Sequence, residues 1–111
     1  MNIQIKATNL ELTASVKDYL DDKIGHLAKY VKADEAKVEL ARDRHHRTGE
    51  VFRAEVMLIA GGKLMRADAS SEDIYASIDL VVPKLREQID KFKAKRTTLQ
   101  RRGARSAKRK I

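Results

Sequence analysis

Apolar residues recur along this chain with two periods, and the order in which those periods alternate leaves few folds open. Ile3, Ile5 and Ala7 alternate with Gln4 and Lys6, the period of a strand with one buried face. Val16, Leu20, Ile24, Leu27 and Val31 then recur at helical spacing behind Thr13, a good N-cap residue, and predict an amphipathic helix over about Ala14 to Val31. Gly25 is a tolerated weak point in it, costing up to about 1 kcal/mol against Ala. After the polar break Lys32 to Glu35, Val38 and Leu40 suggest a second strand running toward Arg42. Phe52, Ala54, Val56 and Leu58 alternate with Arg53, Glu55 and Met57 as a third. Gly61-Gly62 supplies the positive φ of a hairpin turn, and Met65, Ala67 and Ala69 form a short fourth strand whose small residues admit a closely packed helix.

The last periodic segment is the longest. Ile74, Ile78, Val81, Val82, Leu85, Ile89 and Phe92 mark one stripe, predicting a helix from about Glu72 to Lys95 that is roughly 36 Å long. Ser70 and Ser71 stand at its start as caps, with Glu72 and Asp73 expected in the first turn, where the helix dipole favours acids. Pro83 interrupts the pattern and removes the hydrogen bond to the carbonyl of Asp79, but it lies nearly opposite the stripe. The expectation is a retained helix with a solvent-facing bend, because water satisfies the freed carbonyl. The element order is therefore β-α-β-β-β-α. This is an α+β fold, a four-stranded mixed sheet with both helices packed on one face and the first two strands parallel.

Charge is distributed very unevenly along this pattern. Residues 1–90 hold 14 Lys/Arg and 16 Asp/Glu, whereas residues 91–111 hold 10 Lys/Arg and no acid, within a net charge of +8. Uncompensated cations repel one another and keep a segment solvated, so residues 96–111 are expected to form a disordered basic tail on a single domain spanning 1–95. A polyanionic partner follows from the same excess. No apolar run approaches the roughly 18 residues of a membrane span, and the first residues alternate like a strand instead of forming a signal-peptide core. The chain thus reads as cytoplasmic, with no membrane partner. It contains no cysteine, which removes disulfides, thiolate zinc sites and thiol nucleophiles together.

Little in the sequence supports catalysis. His26 lies on the first helix, and His45 and His46, adjacent in extended chain, point to opposite faces, so the pair is poorly placed to chelate one metal. With Arg42, Arg44 and Arg47 they read as a polar connection able to graze phosphate. The glycines fit neither a dinucleotide fingerprint nor a P-loop, and no serine sits in a nucleophile elbow. No enzyme activity, metal, cofactor or small-molecule substrate is expected. Base stacking on a sheet needs exposed aromatics, and Tyr19, Tyr30, Phe52, Tyr75 and Phe92 offer at most tyrosine edges. Cation presentation remains. Lys84, Arg86, Lys91, Lys93 and Lys95 lie off the centre of the second stripe, Lys23 and Lys29 lie on the polar side of the first helix, and Arg96, Arg101 and Arg102 continue the series into the tail. Taken together they make a candidate phosphate-binding surface.

The run Asp73-Ile74-Tyr75-Ala76-Ser77-Ile78-Asp79, followed by Lys84-Leu85-Arg86-Glu87-Gln88-Ile89, resembles the second-helix signature of the ribosome hibernation-promoting factors, also called ribosome-associated inhibitors or ribosomal subunit interface proteins. Ile3-Gln4-Ile5 to Leu12-Thr13, Leu27-Ala28-Lys29-Tyr30 and the Gly61-Gly62 hairpin match as well, so the resemblance covers residues 1 to about 95. It implies a domain shaped like double-stranded RNA-binding domains, with a different element order. It also implies a non-enzymatic factor, monomeric off the ribosome, that sits in the decoding channel of the small ribosomal subunit. There it would contact rRNA where mRNA and the A-site and P-site tRNAs lie, and so keep idle ribosomes from translating. The resemblance carries the basic second-helix roles to Lys84, Lys91, Lys93 and Lys95, and those of the first helix to Lys23 and Lys29. Arg86-Glu87 inverts the family's usual Glu-Arg order, which turns the guanidinium about 100° around the helix. Two alternatives stay open on the sequence: a general rRNA-binding or ribosomal-protein-like module anchored by its tail, and the N-terminal part of a long-type factor without its dimerisation domain.

Overall fold

The computed structural model describes residues 2–46 and 49–109, with side chains described outside 44–48, 50 and 95–109. Six elements follow in the expected order: β1 (Asn2–Thr8), α1 (Ala14–Leu27), β2 (Glu35–His46), β3 (Gly49–Ala60), β4 (Lys63–Ser71) and α2 (Ile74–Arg109). The sheet is ordered β1-β2-β3-β4, with β1 parallel to β2 and the other neighbours antiparallel. A parallel pair needs a crossover, which α1 supplies.

Register explains why one sheet face is apolar across its width. Ile5 pairs with Val38, Val38 with Val56, and Val56 with Ala67, so residues of one alternation phase line up on one face. That face meets Leu20 and Ile24 of α1 and Ile78, Val81, Leu85 and Ile89 of α2 in a single core cluster. Leu20, Ile24, Leu85 and Ile89 are fully buried, and truncating one such Leu or Ile to Ala typically costs about 2–5 kcal/mol. Ala54, Ala67 and Ala69 are the small residues beneath the helices.

Local chemistry sets the element ends. Thr13 caps α1, its side chain accepting from the Val16 amide at 3.2 Å. The helix stops at Leu27, short of the expected Val31. The amides of Ala28, Lys29 and Tyr30 bond three residues back, to Gly25, His26 and Leu27, and this tightening unwinds the last turn. Val31 is still buried, delivered by that turn. At α2, Glu72 and Asp73 precede the helix instead of lying in its first turn, and Asp73 Oδ1 accepts from the Tyr75 amide. Ser77, fully buried, donates to the Phe52 carbonyl at 2.7 Å and so ties the start of α2 to β3. The helix is continuous through Pro83, which is exposed as its angular position requires. Its backbone runs past Lys95 to Arg109, and the last described stripe residue packed against the core is Phe92.

The hairpin between β3 and β4 closes with Ala60 opposite Lys63, and both intervening glycines have positive φ, 55° at Gly61 and 77° at Gly62. That pair of angles is the primed turn whose twist matches the strands. β4 is an edge strand, and α2 covers its outer edge. The Arg66 amide donates to Gln88 Oε1 at 3.0 Å, the Gln88 amide donates back to the Arg66 carbonyl, and Lys84 Nζ donates to the Asp68 carbonyl at 2.9 Å. Side chains of α2 thus occupy main-chain groups that would otherwise template another strand.

Candidate nucleic-acid interface

The two helices meet along a polar seam that fixes their relative direction. Near the start of α2, Tyr19 donates to Asp79 and packs edge-on against Tyr75, ring centroids 5.1 Å apart. Lys23 lies 3.8 Å from the same carboxylate and 5.4 Å from the Tyr19 ring. Hydrogen bonding to Asp79 pushes the Tyr19 phenol up to about 12. Further along, Arg86 covers Tyr30, its guanidinium carbon 3.3 Å from the ring centroid, and its Nε donates to Asp90 at 3.1 Å. Early residues of α1 therefore face early residues of α2, and late face late. The helices run the same way.

This direction brings lysines from three separate segments to one end of the sheet. Lys29 and Lys32 leave the end of α1, Lys63 follows the Gly61-Gly62 turn, and Lys91 sits on α2; all four are exposed. Two shallow depressions share Phe92: one of about 230 Å³ between Lys63 and Lys91, the other of about 310 Å³ between Lys32 and Gly61. Lys32, Lys63 and Lys91 border these depressions, with Lys29 exposed on the turn that leads to Lys32, and ammonium groups on flexible stems suit the irregular spacing of phosphates in a folded nucleic acid. Asp34 also borders this end, and Glu87 lies 3.1 Å from Lys91, yet the Lys91 side chain remains 75% exposed.

The residues singled out from sequence divide accordingly. Lys91 lies at this end, and Lys29 and Lys93 are exposed. Lys23 stays on the seam with Asp79, Lys84 is engaged by the β4 edge, and Arg86 by Tyr30 and Asp90. The Asp90 hydrogen bond raises the Arg86 pKa above its ordinary value, so its charge is fixed. The side chains of Lys95, Arg96, Arg101 and Arg102 lie outside those described, as do those of Arg44, His45, His46 and Arg47. Asp18, Asp21 and Asp22 are exposed on α1, so that flank is acidic along its middle and the basic surface narrows to the end of the molecule. Lys32 and Lys63 were absent from the sequence expectation. Lys63 is signalled only by its place directly after a glycine turn, and Lys32 by its place in a polar break.

The sheet face away from the helices is nearly balanced in charge. Glu55 accepts from Arg66 at 2.9 Å and from Arg53 at 2.7 Å, while Arg53 also reaches Asp68 at 3.4 Å. The Arg66 hydrogen bond, reinforced by Arg53, holds the Glu55 carboxyl below its ordinary range against the opposing effect of burial. These arginines are spent on carboxylates. Among the described residues no cluster of three His, Asp or Glu side chains is arranged to hold a metal ion, and no helix is long and apolar enough to cross a membrane.

A family model described as sigma 54 modulation protein / S30EA ribosomal protein matches residues 3–97. A ribosome hibernation promotion factor of Picosynechococcus is 35% identical over 97 residues, covering 86% of this chain and 50% of that protein. One from Lactococcus lactis is 36% identical over 95 residues, covering 86% and 51%. The chain thus spans about half the length of these curated relatives. Among solved structures, the N-terminal domain of Thermus thermophilus Protein Y superposes with a TM-score of 0.69 at 33% identity, covering 83% of this chain and 99% of that one. A ribosomal subunit interface protein from Coxiella burnetii has the same fold, with a TM-score of 0.73 at 18% identity over 85% of this chain and 99% of that one.

Proposed function

Because the chain belongs to the sigma 54 modulation protein / S30EA ribosomal protein family, we propose that it is a ribosome hibernation factor. It docks as a single copy onto rRNA in the decoding channel of the small ribosomal subunit and blocks the sites of mRNA and tRNA. Inhibition comes from occupancy, without catalysis. The observation that carries this reading is the convergence of Lys32, Lys63 and Lys91 from three segments on one end of the fold, around Phe92, with Lys29 exposed on the same turn as Lys32. α2 then continues from that end into the basic stretch 95–110. A surface that recognises folded rRNA by shape needs backbone phosphate contacts and no base code, and long cationic side chains on a rigid frame provide them. The folded part is a wedge close to neutral, so attraction to polyanion is local to this end and steers its orientation.

Cosedimentation with vacant small subunits tests the proposal. The wild-type chain is expected to pellet with the subunit and to be displaced by mRNA with initiator tRNA. A variant carrying Lys29→Glu, Lys32→Glu, Lys63→Glu and Lys91→Glu, all exposed positions that leave the core untouched, is expected to stay in the supernatant while keeping its circular dichroism. Simultaneous binding of wild type and initiator tRNA would refute a decoding-channel site and favour a general rRNA-binding module anchored by the tail.

A further inference from the structure

Arg86 is a cation on the basic side of α2, yet its Nε and its flat face are already engaged. The guanidinium carbon stands 3.3 Å from the centroid of the Tyr30 ring, and Nε donates to Asp90 one turn on at 3.1 Å. Tyr30 belongs to the tightened turn that ends α1, where its amide bonds to Leu27 and the next amide, Val31, bonds to the same carbonyl. Lys29 precedes it and Lys32 follows two residues later. A guanidinium stacked on an aromatic face and held in plane by a carboxylate restricts the ring, and through it the turn. Three bonds on the other side of α2, the reciprocal pair between Gln88 and the Arg66 backbone and that of Lys84 to the Asp68 carbonyl, hold the same stretch of helix to β4. α2 is therefore clamped laterally on both flanks, immediately before Lys91.

We infer that Arg86 is a positioning residue, fixing the turn that bears Lys29 and Lys32 against α2 instead of meeting phosphate itself. The inference rests on the reading above for what those lysines bind, but the clamp itself is a property of the free protein. Lysine substitutes poorly, because its ammonium is attracted to a ring but has no planar face to lie on it and no Nε–H to bond Asp90 at the same time.

Two measurements on the full chain decide it. The first is amide hydrogen exchange over residues 28–34 in the free protein, for wild type, Arg86→Lys, Tyr30→Leu and the double variant. Each single change is expected to speed exchange in this turn by about two- to fivefold, the range a surface cation–π contact implies, and the double variant to go no further. Wild-type exchange in both single variants would overturn the inference. The second is affinity for small subunits across a salt series. Arg86→Lys is expected to weaken binding by about two- to fivefold with the log–log salt slope unchanged, while Lys29→Gln lowers that slope by about 0.7–0.9. If Arg86→Lys binds as wild type and Arg86→Met alone loses that much slope, Arg86 is a phosphate contact and the inference fails. Should the wild-type chain ignore small subunits altogether, the hibernation reading falls, and the exchange result still decides whether Arg86 holds the turn.

Discussion

Glu55 illustrates how far a single side chain is determined by its strand position. Alternation in β3 places it on the sheet face away from the helices, where a carboxylate would ordinarily be solvated, but Arg53 and Arg66 close over it and leave the side chain 10% exposed. Two charge-assisted hydrogen bonds offset its desolvation. Since its folded pKa lies below the ordinary 4.5, the unfolded state takes up the proton first as pH falls. The stabilisation is present in full above the unfolded value and is lost as pH drops through the folded one. Glu55→Gln is expected to cost about 1 kcal/mol at neutral pH, discounted because both arginines are partly exposed, and to cost progressively less below pH 4.5. Urea unfolding at a series of pH values reads this; a pH-independent difference would contradict it. The alternation that sends Glu55 outward was legible in the sequence. Its partners were not, because they depend on the β3–β4 register, which sets Glu55 opposite Asp68 and Met57 opposite Arg66. The same holds for Lys84 and Arg86, whose helical angle was readable but whose targets, the Asp68 carbonyl and Tyr30, belong to other elements.

At the scale of elements, the apolar period was sufficient to order all six, because each buries one face and the two periods are distinct. Ends were less legible. α1 stops at Leu27 although Val31 keeps the helical spacing, since a burial pattern does not distinguish the last helical turn from a tightened one. α2 outruns its stripe, because the basic segment beyond Lys95 carries only Leu99, Ala104 and Ala107 before Arg109, too few apolar residues to continue the period. Pro83 is the sharpest case. It sits in a continuous helix and is exposed, and the cost falls on the carbonyl of Asp79, itself an exposed residue. Pro83→Ala restores an amide donor and is expected to stabilise the fold by about 1–3 kcal/mol, below or at the full penalty of an interior proline. The unfolding midpoint in urea measures this. A loss of stability would mean instead that the proline's effect on helix curvature is needed to seat Leu85 and Ile89 on the sheet.

For the whole molecule, the decisive property is where charge collects once the chain folds. Composition located the cation excess beyond residue 90, but only the fold, through the parallel helices and the β3–β4 hairpin, brings Lys32 and Lys63 to the same end as Lys91. Asp18, Asp21 and Asp22 meanwhile leave the middle of α1 acidic. The most direct test is the dependence of small-subunit affinity on salt, compared between wild type and the variant with Lys29, Lys32, Lys63 and Lys91 changed to Gln. Each phosphate neutralised contributes about 0.7–0.9 to the log–log slope, so the account predicts a steep wild-type slope that falls by about 3 in the variant. Equal slopes for the two proteins would show that this end of the fold does not meet rRNA.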